Sequence, residues 1–340
     1  MSDRRDEPQH EPAASGGLDG PLVGSVLAAT PGGPAGTSLT TIAEDSPTYA
    51  AARKRYARER RMKRLKFSWY LLRRNPLTIT GLIIVLGLVL VALLAPLIAP
   101  HDPVKLDMLN SLQPPSSKHW LGTDEVGRDI LSRIIHGAGI SLRVGILAVL
   151  SITVLGVPIG LVAGTFGGWV DTLIMRVADI FLAFPQLVLA LAIATALGGG
   201  MQNVIIALAI AGWPWYARLV RGLVLSVRQE AFIEAARVSG SSWRRVMLRH
   251  VMPNSMGPVI VQASMDMGYT ILLAASLGFL GIGVKVPTPE WGLMINAGRP
   301  YFMDQWWVAG FPGIAILVSV LGFNMLGDGL RDLVDPRSRG

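Results

Sequence analysis

The amino-acid sequence predicts an all-α membrane protein with six transmembrane helices. Hydrophobic residues make up 51% of the 340 residues, and only 16% are charged. The mean hydropathy is +0.46. This composition is typical of a chain that keeps most of its surface in lipid. Residues 77–99 hold no charge, and at about 1.5 Å per residue they are long enough to cross a hydrocarbon core of about 30 Å.

Further apolar segments predict the other five transmembrane helices. They cover residues 142–166, 178–197, 204–220, 259–280 and 308–325. The first apolar segment lies far from Met1 and lacks a convincing cleavage site, so it reads as an anchor. The predicted organisation is a disordered extension at 1–52, a basic segment at 53–76, a first helix at 77–100, an external loop at 101–141, a five-helix core at 142–326 with a polar loop at 222–258, and a tail at 327–340.

Basic residues predict the orientation in the membrane. Residues 53–74 carry eleven Lys and Arg side chains against one acidic residue, Glu59. By the positive-inside rule this segment stays in the cytoplasm of a prokaryotic cell. Six crossings then place the polar loop and both termini there as well. A basic run is also compatible with nucleic-acid binding, but cations beside anionic lipid headgroups explain it more simply, so we expect no nucleic-acid partner.

Several kinds of chemistry are excluded by the residues present. The chain has no cysteine, hence no disulfide and no thiolate site. The histidines show no metal-ligand spacing. Residues 139–143 do not match the GxSxG pattern of a hydrolase. Residues 278–283, which are rich in glycine, are followed by Lys285 without the Ser or Thr of a P-loop. We therefore expect a non-catalytic chain that holds no cofactor, no metal and no ATP.

The polar loop between the fourth and fifth spans has the pattern of two short helices. Residues 230–238 are good helix formers, and Gly240 follows where a left-handed helix end favours glycine. Ser241 or Ser242 can cap a second helix that ends before Pro253. The loop is several times longer than the connections of about 2 to 8 residues usual in helix bundles. Small side chains would let a partner approach closely; these are Ala235, Ala236 and Gly240.

The same loop resembles the EAA signature of ABC importer permeases. Glu234-Ala235-Ala236 is followed after three residues by Gly240 and, after nine more, by His250-Val251-Met252-Pro253. His250 and Met252 stand where the general pattern has Ile and Leu. With a histidine at this position, the loop resembles the peptide-importer branch of the family.

Other segments resemble the C-type permease of oligopeptide, dipeptide and nickel importers. The likeness runs from about Trp69 to Arg337, and residues 1–52 have no counterpart. The motifs that carry it are residues 95–103 (APLIAPHDP), 119–124 (HWLGTD), 127–133 (GRDILSR), 291–292 (WG), 323–332 (FNMLGDGLRD) and 335–337 (DPR).

The resemblance implies a type I ABC importer permease fold with a cytoplasmic coupling helix at residues 236–243. It also implies a homologous permease, two ABC ATPases that bind ATP and Mg²⁺, and an external substrate-binding protein as partners. Di- or oligopeptides are the expected substrates, with nickel or another small solute as the alternative. The residues expected to couple to an ATPase are Glu234, Ala235, Ala236, Arg237, Gly240, Ser241, Ser242, Trp243 and Pro253.

Ionisable residues in or beside the spans are the other candidates, because their burial in a membrane is costly. Arg176 and Asp179 are spaced for a local ion pair. Asp266 either lines the translocation path or hydrogen-bonds a Ser or Tyr of a neighbouring helix, and we favour the structural role. Members of the resembled family commonly carry Glu where this chain has Ala274.

The external loop and two prolines complete the candidates. Asp124, Arg128 and Asp129 belong to a run of alternating charges, which indicates a solvated, self-paired surface; the resemblance adds docking or gating of the binding protein. Pro158 and Pro185 are expected to bend or open their helices. An ion-coupled secondary transporter is the alternative of another class, but it would need no long Arg-rich cytoplasmic loop.

Overall fold

The computed structural model describes residues 75–334 and, apart from these, Met62. The predicted disordered extension, nearly all of the basic segment and the end of the predicted tail therefore lie outside the described residues. Within 75–334, six side chains are also outside the description: Arg237, Trp243, Arg244, Leu248, Leu333 and Val334.

The described part of the chain is built from helices, which confirms the predicted all-α class. Residues 247–251 form a single π-helical turn between α7 and α8. The α-helices are α1 Pro76–Ile98, α2 Ile130–Phe166, α3 Gly168–Leu182, α4 Gln186–Ala196, α5 Met201–Val227, α6 Ala231–Val238, α7 Trp243–Val246, α8 Met252–Phe279, α9 Trp291–Gly298 and α10 Trp307–Val334.

Five helices, α1, α2, α5, α8 and α10, are long and apolar enough to cross a membrane. They coincide with five of the six predicted spans, but α2, α5, α8 and α10 each extend at least seven residues further at one end. α2 begins twelve residues before the predicted 142, because the Asp129 carboxylate caps it by accepting the Ser132 N–H at 2.8 Å. α10 continues through the predicted tail to Val334.

The third predicted span, residues 178–197, is not one helix. It is formed by α3 and α4, which meet at an angle of 89°. Pro185 lies directly before α4, has no N–H to continue the ladder and disfavours a helical Phe184. The expected effect of Pro185 is thus confirmed, and it amounts to a full break of the helix. Pro158, in contrast, lies inside the continuous α2.

The bent pair reaches from one end of α5 to the other. Asp171, in the first turn of α3, forms an ion pair with Arg221 near the end of α5. At the opposite end, the Asn203 side-chain amide, near the start of α5, donates to the Leu197 carbonyl just after α4 at 2.6 Å. Because its two ends lie at opposite ends of α5, the pair counts as one broken span, and the described chain has six spans.

Three glycines of α2 allow its backbone to pack directly on α5. A Cβ atom at Gly156 would lie 2.7 Å from the Trp213 carbonyl oxygen, and one at Gly160 would lie 2.8 Å from the Val220 Cβ. A Cβ atom at Gly164 would lie 2.8 Å from the Val224 Cβ atom. Since lipid tails are as apolar as leucine, close packing of this kind carries much of the association between membrane helices.

A larger side chain at the middle of this contact is expected to separate α2 from α5. We expect Gly160→Leu to destabilise the fold by about 1–3 kcal/mol or more, as for other overpacked cores. The measurement is the apparent unfolding temperature of the detergent-solubilised chain. Gly87→Leu is the control, because nothing lies within 4 Å of a Cβ at Gly87. Equal unfolding temperatures for the two variants would contradict this account of the contact.

Candidate coupling site

The polar loop folds as two short helices that bend at Gly240, as predicted. α6 covers Ala231–Val238, and α7 begins at Trp243. Gly240 has a φ of +77°, and the Ser241 N–H donates to the Ala236 carbonyl at 3.1 Å. Nothing lies within 4 Å of a Cβ at Gly240. The glycine is therefore required by the left-handed backbone conformation and not by lack of space.

The predicted coupling helix at residues 236–243 is wrong in its bounds. The helical part of this stretch ends at Val238, and residues 239–242 form the turn into α7. A residue with positive φ cannot continue a right-handed helix. The helix that can be offered to a partner is therefore α6, which begins five residues earlier than predicted.

One face of the loop is buried against the membrane helices. Ile233 of α6 and Val246 of α7 are 1% and 0% exposed. They pack in one apolar cluster with Val220 and Val224 of α5 and with Leu161 of α2. Complete burial of a large aliphatic side chain stabilises its contact by about 1.5–3 kcal/mol. The loop is thus fixed to the ends of the spans that it connects.

The opposite face of α6 is exposed. Val238 is 84% exposed and Phe232 45%, and the Phe232 ring lies 6.4 Å from that of His250, centroid to centroid. Exposed apolar side chains grouped on one surface indicate an interaction site. Of the other predicted coupling residues, Glu234, Ala235, Ser242 and Pro253 are exposed and Ala236 and Ser241 are half-buried, whereas the side chains of Arg237 and Trp243 are outside the description.

The expected helix end before Pro253 is wrong. After α7 the chain makes a π-helical turn at residues 247–251 and continues into α8. The Met252 N–H donates to the Met247 carbonyl, five residues earlier. Pro253 has no N–H and its ring would clash with a carbonyl one turn back, so a wider turn allows the helix to continue.

Arg228 connects the start of the loop to the end of α2. Its guanidinium donates to the carbonyls of Gly164 at 2.8 Å and of Thr165 at 3.1 Å. These carbonyls lie in the last turn of α2, where an arginine is favoured by the helix dipole and by unsatisfied oxygens. The Thr165 hydroxyl contacts the Met247 sulfur at 3.2 Å. No local sequence pattern indicated these hydrogen bonds, because Arg228 lies 64 residues from Gly164 and 63 from Thr165.

The expected local ion pair between Arg176 and Asp179 is wrong. Asp179 accepts from the Arg218 guanidinium of α5 at 2.5 Å, and Arg176 is exposed. With Asp171 and Arg221 this makes two ion pairs between α3 and α5. Sequence spacing suggested the partner on the same helix, but the packing of α3 on α5 brings a closer one.

Asp266 lies half-buried in α8 and accepts from the Gln262 side-chain amide, one turn earlier, at 2.9 Å. The ring of Tyr216, from α5, lies close to the same carboxyl group. The expected partner was a Ser or Tyr of a neighbouring helix; Tyr216 of α5 fits that expectation, and the Gln262 amide of α8 itself is a second partner. The position is compatible with the structural role, which stays a prediction.

The charges of the external loop are buried and do not form the solvated surface expected. Asp124, Arg128 and Asp129 are each at most 4% exposed. Arg128 donates to Asp124 at 2.6 Å and to Glu125 at 2.9 Å, which confirms the self-pairing. These side chains hold the loop together, because a buried charge is tolerated only when it is paired. The docking or gating role stays a prediction for the loop.

Glu290 is a buried acidic residue that no sequence pattern indicated. Its carboxylate caps α9 by accepting the N–H groups of Gly292 at 2.9 Å and Leu293 at 2.8 Å. Burial raises the pKa of this carboxyl group, although the two N–H groups act in the opposite direction. Glu290 also lines a small cavity with Ser141 and Ile271.

Two family descriptions match this bundle of apolar helices. The chain matches the family described as binding-protein-dependent transport system inner membrane component over residues 156–340. It also matches the N-terminal transmembrane domain of oligopeptide transport permease C over residues 64–115. The chain belongs to this family of multi-pass inner-membrane permeases of ABC transporters. ATPase and substrate-binding partners are general to the class, and its members are typically non-catalytic.

Individual relatives support the same assignment. The dipeptide transport system permease protein DppC of Alkalihalophilus pseudofirmus is 47% identical over 79% of this chain and 88% of its own. The probable D,D-dipeptide transport system permease protein DdpC of Escherichia coli is 44% identical over 83% and 95%. The di/tripeptide transport system permease protein DppC of Pseudomonas aeruginosa is 45% identical over 80% and 92%. The predicted C-type permease class is thereby confirmed.

Removal of the Arg228 guanidinium is expected to loosen the loop. Arg228→Met loses the two charged hydrogen bonds to α2, each of which is worth about 1.5–3 kcal/mol. We expect faster amide hydrogen exchange throughout residues 229–247, measured by mass spectrometry on the purified chain. Arg245→Met is the matched control, because Arg245 is exposed in the same loop. Unchanged exchange in Arg228→Met would show that the loop is held by its apolar contacts alone.

Proposed function

We propose that this chain is the non-catalytic permease subunit of an ATP-driven importer of di- or oligopeptides. Family membership supports the transport role, and the three relatives above, named for dipeptides or tripeptides, support the substrate class. The observation that carries the coupling mechanism is the two-faced loop, with Ile233 buried and Val238 exposed. A peptide importer explains this loop, whereas an ion-coupled secondary transporter has no need of it.

The exposed face of α6 is the surface that an ABC ATPase would contact. Its apolar part consists of Phe232 and Val238, and Glu234 and Ala235 lie exposed beside them. An amphipathic helix seated in a groove of its partner is a common mode of recognition. ATP and its Mg²⁺ would be bound by the two ATPase subunits and not by this chain.

Movement of α6 is transmitted because the loop is fixed to several spans at once. Arg228 and Thr165 connect it to α2, Ile233 packs on α5, and the π-helical turn continues into α8. Closure of the ATPases would therefore displace these spans together. With a homologous permease as the second half, the bundle alternates between inward-open and outward-open states.

This mechanism requires both termini and the coupling loop to lie in the cytoplasm. With six spans, counting α3 and α4 as one, the start of α1 and the end of α10 would lie on the same side. The loop 222–258 then shares that side, and the segment from 99 to 129 and the segment around Met303 lie outside. The substrate reaches this outer side on an external binding protein.

Single cysteines test the orientation and the contact together, because the natural chain has no cysteine. In a chain without its ATPases, Val238→Cys is expected to react with a membrane-impermeant maleimide in inside-out vesicles and not in intact cells. Co-expression of the ATPases should protect it. Met303→Cys, 91% exposed in the wild type, is the control and should show the reverse sidedness. Labelling of Val238→Cys in intact cells would refute the topology.

Gly240 tests the geometry of the loop. Val at a φ of +77° is strained by about 1–3 kcal/mol, so Gly240→Val is expected to abolish ATP-dependent dipeptide uptake by the reconstituted importer while the protein remains in the membrane. Gly240→Asn should retain more uptake, because asparagine tolerates this conformation. Full uptake by Gly240→Val would count against the mechanism.

A further inference from the structure

Two histidines and an aspartate meet in the external segment. His101 follows α1, His119 lies in the loop, and Asp129 caps α2. The His119 Nδ1 atom lies 2.9 Å from the Asp129 Oδ1 atom, and the His101 Nδ1 atom lies 3.6 Å from the same oxygen. One ligand atom of each residue lies within 4.8 Å of the others. The imidazole rings are 4.7 Å apart, centroid to centroid.

The surrounding residues fix the orientation of this cluster. Asp129 Oδ2 accepts from the Ser132 N–H at 2.8 Å and from the Ser132 hydroxyl at 2.7 Å, which leaves Oδ1 directed to the histidines. The main-chain N–H of His101 donates to the Ser132 hydroxyl oxygen at 3.0 Å, and the main-chain N–H of His119 donates to the Ser116 hydroxyl oxygen at 3.1 Å. The bonds from Ser132 to Asp129 are of the kind that orients a carboxylate ligand of a metal ion, and the two main-chain bonds hold the backbone at the histidines.

Hydrogen bonding within the cluster does not satisfy its members. His119 is 8% exposed, and its Nε2 atom is buried without a partner among the described residues. The Nδ1 atom of His101 is also buried without a partner among the described residues, because its distance of 3.6 Å from Asp129 Oδ1 is too long for a hydrogen bond. A buried nitrogen without a partner is unfavourable, because it has lost its hydrogen bonds to water. A bound ion would give His101 Nδ1 a partner that the protein itself does not provide.

The geometry points to a divalent cation site formed by His101, His119 and Asp129, and we propose that it binds one ion of the Zn²⁺ or Ni²⁺ class. Two imidazole nitrogens and one carboxylate oxygen suit such borderline cations. Ligands at about 2.0–2.2 Å from an ion lie about 3–4 Å apart, close to the 2.9 and 3.6 Å found here. The nearby cation Arg128 is paired with Asp124 and Glu125.

The sequence had predicted no metal site, because the ligands are separated by 18 and 10 residues and match no ligand motif. Only the folding of the external segment brings them together. An ion at this point would connect the end of α1 to the start of α2. Its role is to fix the fold of the external segment, and its binding does not depend on transport.

Metal content tests the site in the assembled importer. After removal of metals by a chelator and equilibration with Zn²⁺, the wild-type complex should retain about one ion more per copy of this chain than His101→Gln or His119→Gln. His136→Gln is the matched control, because His136 lies in α2 outside the cluster and contacts the Ser132 carbonyl. It should retain the ion.

Affinity measured by competition with a fluorescent chelator gives the second readout. Each cluster variant should bind Zn²⁺ at least about tenfold more weakly than wild type, and Co²⁺ should give visible absorption in the wild type that both variants lose. His101→Gln decides the matter if His119→Gln fails to fold, because the side chain of His101 is 36% exposed. Wild type without the additional ion, or a His101→Gln affinity equal to that of wild type, would overturn the proposal. Dipeptide uptake is measured separately.

Discussion

The close backbone contact between α2 and α5 is the constraint on which the rest of the structure depends. Gly156 and Gly160 leave no room for a Cβ atom against α5, so the two helices lie nearer than side chains would allow. Lipid tails are as apolar as the helices, so no hydrophobic force draws two helices together, and close packing supplies the attraction instead. It also brings Arg228 to the last carbonyls of α2, and the coupling loop begins from that junction.

The polar loop has two different faces. The coupling role proposed above requires that the loop be rigid toward the membrane helices and accessible to an ATPase. Ile233 supplies the first property by burial against α5, and Val238 supplies the second by exposure. Gly240 separates α6 from α7, so that the chain changes direction between the two helices. The π-helical turn then carries the chain past Pro253 without a flexible joint.

Patterns in short stretches of the sequence were sufficient to predict much of the fold. Hydropathy located all six spans, because a bilayer requires long apolar helices regardless of what they pack against. The orientation that the positive charges indicate stays a prediction. Gly240 predicted the bend in the loop. The bounds of the coupling helix and the continuation past Pro253 were wrong, since both depend on how backbone hydrogen bonds are redistributed around residues that disfavour an ordinary helix. Pro185 was expected to bend a span, but its 89° break exceeded the expectation.

The sequence by itself determined the class of protein, the number of spans and the place of the polar loop, because these follow from composition and from residues close together in the chain. Tertiary structure alone decided which charges pair. Asp179 meets Arg218 and not the nearby Arg176, and Asp124 and Arg128 are buried and not solvated. His101, His119 and Asp129 meet only in the folded external segment. Partner choice depends on distances in space, which spacing along the chain does not fix.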